Sequence, residues 1–261
     1  VAPILNWFID QIDTTLMPLQ QKKASLTFSD SIKNSIILDL SSTLIARIAR
    51  TMTLEINVFK LEGKLIGETS QERFTAFSLL LLEEEVFENF LSEYPLLFRQ
   101  ILIDTENKLR FINEFINHLI QDWEKIWGIL LESQETFPLS QIKFAGDSHR
   151  NGRSVLILDF SSKHKLVYKP RDLSTDVHFY QLLEWLNDKG VQPGFRTLKI
   201  LNCKSHGWVE FIEQKECSSL SEVERFFQRQ GGNLAILHSL SATDFHFENV
   251  IASGEHPILI D

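Results

Sequence analysis

The chain has 261 residues and a formal net charge of −9, with 43% hydrophobic and 23% charged residues. This length and composition fit a globular protein of one large domain or two medium ones. A protein that binds nucleic acid non-specifically normally carries a basic surface, so the acidic balance disfavours that class. No apolar run approaches the roughly 20 residues that a membrane-spanning helix needs, so we expect no transmembrane segment.

The charge is distributed unevenly along the chain. Residues 1–140 contain 12 Lys and Arg against 20 Asp and Glu, a net of −8, whereas residues 141–261 contain 14 against 15, a net of −1. The composition therefore changes close to Pro138. We predict a boundary there between a region 1–138 and a region 139–261.

The two cysteines, Cys203 and Cys217, are not spaced like a pair of metal ligands. Two reduced thiols in a cytoplasmic protein are the expected interpretation.

Apolar residues recur with helical spacing between positions 4 and 134. One predicted helix face consists of Ile36, Ile37, Leu40, Leu44, Ile48 and Met52, and a second of Leu109, Ile112, Ile116, Leu119, Trp123, Ile126 and Leu130. Residues 73–91 are predicted to form a further helix, which the turn at Tyr94 and Pro95 would end. Periodicity alone predicts a helical scaffold here and no further role.

After Pro138 the pattern changes to short strands and helices. The predicted strands are 154–160, 165–169, 198–202, 207–212 and 257–260, with the first four forming two hairpins. The predicted helices are 176–188, capped by Ser174 or Thr175, and a segment from a cap at Ser221 towards His238. This order predicts an α+β fold, in which a helical region precedes a kinase-like, mainly antiparallel nucleotide lobe and the start of a helical lobe. It is not the βαβ repetition of a Rossmann sheet.

The last eighteen residues carry the strongest chemical pattern. Asp244 precedes Asn249 by five positions, as the catalytic-loop Asp of a protein kinase precedes its metal-binding Asn. Asp261 follows at the end of an apolar strand, where a second magnesium-binding Asp would lie. His246 completes D-x-H-x-x-N, an order closer to the lipid-kinase loop than to the protein-kinase loop. The spacing predicts a proton acceptor and two Mg²⁺ ligands.

Residues that could hold the triphosphate occur upstream. Lys169 ends a predicted strand, as the phosphate-contacting lysine of a kinase does. The first hairpin is entered through GDSHRNGR, in which Gly146 and Gly152 could let backbone N–H groups approach phosphate oxygens. Additional donors could come from His149, Arg150 and Arg153. As the acidic partner of Lys169 we favour Glu184, with Asp176 as the alternative.

Each of these residues taken alone has a commoner structural explanation. A loop aspartate usually forms a turn, a lone histidine usually satisfies a local hydrogen bond, and a lysine at a strand end is usually solvated. Their joint occurrence, in kinase order and on the predicted elements, favours the functional interpretation.

Four segments carry a resemblance to a known family: GDSHRNGRSVLILDF, KLVYKPRDL, GWVEFI and ATDFHFENVIASGEHPILID. They resemble the dehydratase domain of class II lanthipeptide synthetases, the LanM class. The helical segments RTMTLEINVFKLEGKLIGETSQERFTAF and SEYPLLFRQI are similar to the part that precedes the kinase-like core of that family. The resemblance extends over nearly the whole chain from about position 44, and YKPR followed by TDFHFEN is its most specific part.

The resemblance implies a lipid-kinase-like fold, ATP and Mg²⁺ as cofactors, and a ribosomal precursor peptide as substrate. Ser and Thr of that peptide would be phosphorylated and then lose phosphate to give dehydroalanine and dehydrobutyrine. The implied base is Asp244, and His246 would support either the loop or the transferring phosphoryl group. Mg²⁺ would be held by Asn249 and Asp261. The implied ATP contacts are Lys169 and the loop residues Gly146, Asp147, His149 and Gly152.

Two parts of that family have no counterpart in this sequence. The residues for phosphate elimination follow the DFG-like Asp, and the zinc-binding cyclase domain, where zinc would be expected, comes later still. We therefore expect an N-terminal fragment of a larger synthetase, which could be inactive by itself. Two alternatives remain open: a small-molecule or lipid kinase on the same fold, and a non-catalytic fragment whose acidic half attracts basic peptides.

Overall fold

The computed structural model describes residues 6, 8–12, 14, 30–132, 137–149, 152–160 and 164–260, with residues 147–149 described by their backbone alone. The chain is an α+β protein, as predicted: helices dominate its first part and an antiparallel sheet its second. It divides into two compact units. The first consists of Val1–Leu119 and Asp147–Arg153, and the second of Ile120–Gly146 and Ser154–Asp261.

Residues 30–125 are largely helical and form α1 (Asp30–Leu61), α2 (Ser70–Leu80), α3 (Glu84–Glu93) and α4 (Pro95–Lys125). The predicted apolar faces are confirmed, because Ile36, Leu40 and Leu44 of α1 and Ile112 and Ile116 of α4 are almost fully buried. A spacing of three to four residues puts such side chains on one side of a helix. A short π-helical turn, Ile126–Leu130, continues α4.

The prediction of one helix over residues 73–91 is wrong in part, since the segment breaks between Leu80 and Glu84. Glu84 and Glu85 lie in the first turn of α3, and Glu83 before them is extended. Carboxylates stabilise a helix N-terminus and destabilise a C-terminus, so this acidic run favours starting a new helix. Pro95 then begins α4, which confirms the predicted stop at this position.

The second region contains a five-stranded sheet in the order β1-β2-β3-β5-β4. Its strands are β1 (Leu139–His149), β2 (Arg153–Phe160), β3 (Lys165–Lys169), β4 (Ile200–Asn202) and β5 (Gly207–Glu210). The pairs β2–β3, β3–β5 and β4–β5 are antiparallel. Both predicted hairpins are present, and β1 is an additional strand that the sequence pattern did not predict.

Two helices and a small hairpin complete the second unit: α5 (Ser174–Asp188), α6 (Leu220–Ser239), and β6 (Val250–Ser253) with β7 (His256–Leu259). The Ser219 side chain caps α6, in place of the predicted Ser221. The start of α5 is capped from Asp172, whose carboxylate accepts from the Ser174 N–H at 2.8 Å. Ser174 itself is the first helical residue.

The core of this unit lies between α5, the sheet and β7. Its buried members are Leu173, Tyr180, Leu183, Leu198, Val209, Ile212 and Ile258. Val209 of β5 and Ile258 of β7 both belong to this cluster. Across the described ranges, no helix combines the length and apolar character needed to cross a membrane.

A glycine is required where this core meets β5. A Cβ atom added to Gly207 would lie 2.3 Å from Cδ1 of Leu173 and 3.0 Å from the Leu201 carbonyl oxygen. We therefore predict that Gly207→Ala lowers the free energy of unfolding of the chain by about 1–3 kcal/mol through overpacking. Urea denaturation measures this change.

Gly231→Ala is the matched control. A Cβ at Gly231, inside α6, would meet nothing within 4 Å, so this substitution should raise stability by up to about 1 kcal/mol. Equal stability changes for the two variants would contradict the packing around Gly207.

Candidate functional site

Lys169 lies at the end of β3, and its ammonium group contacts other segments of the second unit. Its Nζ atom is 3.3 Å from Oδ1 of Asp176 and also donates to the backbone carbonyl of Ile260. The side chain is only 10% exposed. A buried ammonium is costly unless it is paired and hydrogen-bonded, so these contacts explain how the lysine is kept in this position.

The acidic partner of Lys169 is Asp176 rather than the favoured Glu184. Asp176 is in the first turn of α5 and also accepts from Arg171, whose Nη1 is 2.6 Å from Oδ2. Glu184 is exposed, and it lies eight residues further along the helix. At 1.5 Å per residue that is about 12 Å from Asp176 along the helix axis, too far to share one lysine.

Side-chain hydrogen bonds hold the first turn of α5 against β4. Asn202 donates to Oδ1 of Asp172 at 3.0 Å and accepts from the Leu173 N–H at 3.2 Å. The same Asp172 oxygen accepts from the Ser174 hydroxyl at 2.6 Å, and these bonds hold the pKa of Asp172 below its usual value. These hydrogen bonds therefore fix the helix turn that carries Asp176.

The predicted catalytic loop forms a compact turn. Asn249 Nδ2 donates to the Asp244 carbonyl at 2.8 Å, and the Asn249 N–H donates to the His246 carbonyl at 3.0 Å. Asp244 has a φ of +68°, a conformation that is uncommon for residues other than glycine. Its side chain is 89% exposed, so the loop presents this carboxylate to solvent.

His246 stabilises the same turn. Its Nδ1 accepts a 3.4 Å hydrogen bond from the Glu248 N–H at the start of the short 3₁₀ turn Phe247–Asn249. Its Nε2 is 3.9 Å from Oδ1 of Asp244. The imidazole thus lies beside the exposed carboxylate without direct hydrogen bonding to it.

Three segments of the second unit converge through Ile260. Its N–H donates to the Asn249 carbonyl at 3.0 Å, and its carbonyl accepts from Lys169. The end of β3, the loop ending at Asn249 and the residue after β7 are therefore joined by consecutive hydrogen bonds. Asp261, the next residue and a predicted metal ligand, lies outside the described residues.

The glycine-containing loop is described in part. Gly146 and Gly152 have φ angles of +67° and +80°, a backbone conformation that glycine adopts readily. Asp147 and His149 lie on the last residues of β1, and their side chains fall outside the described part of the chain.

Arg150 lies outside the described residues. Arg153, the other predicted donor, pairs with Glu114 at 2.7 Å within the first unit.

The sequence interpretation missed a buried polar cluster around Asp122, near the end of α4. Oδ2 of Asp122 is 2.7 Å from Nε2 of His206, and accepts from Nε1 of Trp208 at 2.9 Å and from Sγ of Cys203 at 3.3 Å. Asp122, His206 and Trp208 are all at most 6% exposed. The cluster fastens the helix end to the β4–β5 hairpin.

The carboxylate and the thiol of this cluster have opposite pKa shifts. Burial by itself raises the pKa of Asp122, but the hydrogen bonds from Trp208, His206 and Cys203 outweigh burial and leave the pKa below its usual value. Burial, the hydrogen bond to Asp122 and the negative charge of Asp122 raise the pKa of Cys203 to about 11. At neutral pH the cluster thus contains an ionised Asp122 and a protonated Cys203.

The family described as "Domain of unknown function (DUF4135)" matches residues 94–261, more than half of the chain. The chain therefore belongs to this family, which is associated with LanM-type lanthipeptide synthetases, and the resemblance noted from the sequence is confirmed.

A curated relative extends the comparison towards the N-terminus. The chain is 30% identical over 246 residues to the "Lacticin 481/lactococcin biosynthesis protein LcnDR2" of Lactococcus lactis subsp. lactis. The match covers 88% of this chain and 26% of the relative, so the chain spans about a quarter of that protein's length.

The lowered pKa of Asp122 predicts a specific dependence of stability on pH. Because the carboxyl is more acidic in the folded state, its ionised form stabilises the fold above the unfolded-state pKa of about 4. That contribution is lost as the pH falls through the folded-state pKa. In metal-free buffer, Asp122→Asn should lower the free energy of unfolding by about 2–4 kcal/mol at pH 7, and by progressively less below pH of about 4.

Urea unfolding at a series of pH values measures this difference. Asp188→Asn, at an exposed position at the end of α5, is the control and should change stability by less than about 0.5 kcal/mol. A difference between wild type and Asp122→Asn that does not change with pH would contradict the role given to the carboxylate.

Proposed function

We propose that this chain is the kinase-like part of a lanthipeptide dehydratase. It would use ATP and Mg²⁺ to phosphorylate Ser and Thr of a ribosomal precursor peptide, and phosphate would then be eliminated. The observation that carries the proposal is the position of Lys169, whose ammonium is held between Asp176 and the carbonyl of Ile260. The predicted phosphate-binding lysine thereby bonds to the residue that precedes the predicted metal ligand Asp261 in the sequence.

The order of elements supports a kinase-like fold. In protein kinases the lysine is on the third strand of an antiparallel sheet, and an acidic residue of the following helix pairs with it. Here Lys169 ends β3, and Asp176 belongs to α5, the next helix. Asp176 lies in the first turn of α5, close enough for its short side chain to contact Lys169. A glutamate further along the helix is therefore not needed for this contact.

Lys169 would contact ATP phosphates, and Asp176 would keep its ammonium oriented. A lysine fixed before the nucleotide arrives needs little reorganisation when it meets the phosphate charge. Arg171 contributes a second positive charge to the same carboxylate, at 2.6 Å. The carboxylate is therefore shared by two cations.

The residues present fit a magnesium ion. Mg²⁺ prefers oxygen ligands, and Asn249 and Asp261 offer an amide and a carboxylate oxygen. The amide nitrogen of Asn249 is committed to the Asp244 carbonyl at 2.8 Å, and this orients the amide plane so that Oδ1 is the atom left for a metal. A bound Mg²⁺ would neutralise phosphate charge during transfer.

Asp244 would accept the proton of the peptide hydroxyl. Its exposed carboxylate can be reached by a bulky peptide substrate, and the hydrogen bond from Asn249 to its backbone carbonyl fixes the loop. As the hydroxyl oxygen bonds to the γ-phosphorus, the bond to the β–γ bridging oxygen breaks and ADP leaves. His246, beside this carboxylate, would support the loop geometry.

A precursor peptide is the substrate that the comparisons favour. The relative is a protein of lacticin 481 and lactococcin biosynthesis, and its family is associated with lanthipeptide synthetases. In the second step of the proposed reaction, a base removes the α-proton of the phosphorylated residue and phosphate departs with the Cβ–O electron pair. We place the enzyme in the cytoplasm, where such a peptide is made.

The first test uses mass spectrometry of a precursor peptide incubated with the synthetase, ATP and Mg²⁺. Asp244→Asn should slow phosphorylation by roughly 10²–10⁴-fold, as expected for loss of a general base. Asn249→Ala and Asp261→Ala should abolish it at ordinary Mg²⁺ concentrations. Normal phosphorylation by both metal-ligand variants would contradict the magnesium assignment.

The mass of the product separates the proposal from a simple kinase. A dehydratase gives a peptide about 18 Da lighter, whereas a kinase leaves a stable product about 80 Da heavier. No ATP turnover by the synthetase, with unchanged peptide affinity, would instead indicate a peptide-binding module.

A second test compares two acidic residues of α5. Asp176→Asn should raise the KM for ATP and lower kcat/KM by about tenfold or more, because Lys169 loses its charged partner. Glu184→Gln, at an exposed position of the same helix, is the matched control and should leave kcat/KM within about twofold of wild type. The reverse pattern would show that Glu184, and not Asp176, supports the lysine.

A further inference from the structure

We propose that Asp122, Cys203 and His206 form a binding site for a divalent transition metal such as Zn²⁺. This site is separate from the proposed phosphotransfer residues. The three potential ligand atoms, one carboxylate oxygen, one thiol sulfur and one imidazole nitrogen, all lie within 4.8 Å of one another. Carboxylate, thiolate and imidazole are the three side-chain ligand types that proteins use for Zn²⁺.

The position of the ligands in the fold supports this assignment. Cys203 and His206 flank the tight turn between β4 and β5, giving C-x-x-H, and Asp122 comes from a separate helix. Two ligands with two residues between them, together with a third ligand from a distant part of the chain, are typical of zinc sites. Lys204 has a φ of +68° and the Ser205 N–H donates to the Cys203 carbonyl at 2.9 Å, so this turn directs both side chains to one point.

The second nitrogen of His206 is engaged as it would be in a metal site. Nδ1 is 3.2 Å from the Ser205 hydroxyl, which leaves Nε2 facing Asp122 and Cys203. Histidines that bind metals almost always hydrogen-bond through the other ring nitrogen, which fixes the tautomer. Trp208 Nε1 donates to Oδ2 of Asp122 at 2.9 Å, and this hydrogen bond would orient the carboxylate when Asp122 binds the metal.

The distances are compatible with a metal after a small adjustment. Bonds of about 2.0–2.3 Å place tetrahedral ligand atoms about 3.3–3.5 Å apart. Sγ of Cys203 is already 3.3 Å from Oδ2 of Asp122, whereas Nε2 of His206, at 2.7 Å from that oxygen, would move outward by about half an ångström. A water molecule would complete the coordination on the side of Cys203, which is partly exposed.

Charge and protons balance in the bound state. Zn²⁺ would be held by the Asp122 carboxylate, the Cys203 thiolate and a neutral His206, which gives no net charge in a buried place. The thiol proton is released to solvent, and the proton of neutral His206 resides on Nδ1, where the Ser205 hydroxyl can accept it. Zinc would therefore bind more tightly as the pH rises.

The test is titration of the 261-residue chain with Zn²⁺, and with Co²⁺ as a spectroscopic probe. We expect one metal per chain, with a dissociation constant on the order of micromolar or tighter, and a cobalt–thiolate charge-transfer band. Cys203→Ser should abolish the band and weaken Zn²⁺ binding at least about tenfold. Cys217→Ser, the matched control at the other cysteine, should leave both unchanged.

A measurement on the wild-type chain tests the site without relying on a variant that could fail to fold. Zn²⁺ should protect Cys203 from alkylation and leave the reactivity of Cys217 unchanged, as read by peptide mass spectrometry. Absence of a thiolate band, a band that depends on Cys217, or equal alkylation of Cys203 with and without Zn²⁺ would overturn the proposal. The cluster would then be a hydrogen-bonded anchor alone.

Discussion

The structure of the second unit depends on the burial of one positive charge. The Lys169 ammonium is removed from water at the end of β3, and it needs Asp176 and the Ile260 carbonyl to offset that desolvation. Each partner belongs to a different segment, so the lysine links the sheet, helix α5 and the chain after β7. Both contacts offset the cost of burying the charge, which favours one arrangement of these segments.

The surrounding packing makes this arrangement possible. Gly207, the residue paired with Lys169 across β3 and β5, has no side chain, so Leu173 can fill the space at the start of α5. Asn202 and Asp172 then fix the helix end from which Asp176 reaches the lysine. On the next residue pair along the same strands, Trp208 packs on Tyr168 and donates to Asp122. Neighbouring positions of β3 and β5 therefore serve the proposed nucleotide site and the proposed metal site.

Local patterns predicted the elements well where one physical rule dominated. Strand β3 has the predicted limits, because its alternating side chains are bounded by turn residues, and Pro95 marks a helix boundary because it lacks an N–H. The break near Glu83 was missed because the apolar spacing of a helix continues through it. The break follows instead from the acidic run, since carboxylates favour the start of a new helix. The sequence pattern did not predict strand β1, whose last residues belong to the glycine-containing segment that leads to the hairpin.

Spacing selected the candidate residues of the site, whereas the contacts that these residues make come from the structure alone. Spacing identified Asp244, His246 and Asn249, and the structure shows their backbone hydrogen bonds within one turn. The choice of Asp176 over Glu184 depends on how α5 meets β3, which no local pattern encodes. The Asp122 cluster joins residues more than eighty positions apart. A search for C-x-x-H, rather than for paired cysteines, would have found two of its members.

The central claim is that Lys169 is oriented towards bound ATP phosphates. An acyl-phosphate derivative of ATP, which acylates a lysine amine next to the phosphates and releases ATP, tests this directly when labelled peptides are sequenced by mass spectrometry. The account predicts that Lys169 is the principal acylated lysine and that excess MgATP suppresses its labelling. Acylation of other lysines with Lys169 unmodified, or labelling of Lys169 that MgATP does not reduce, would contradict it.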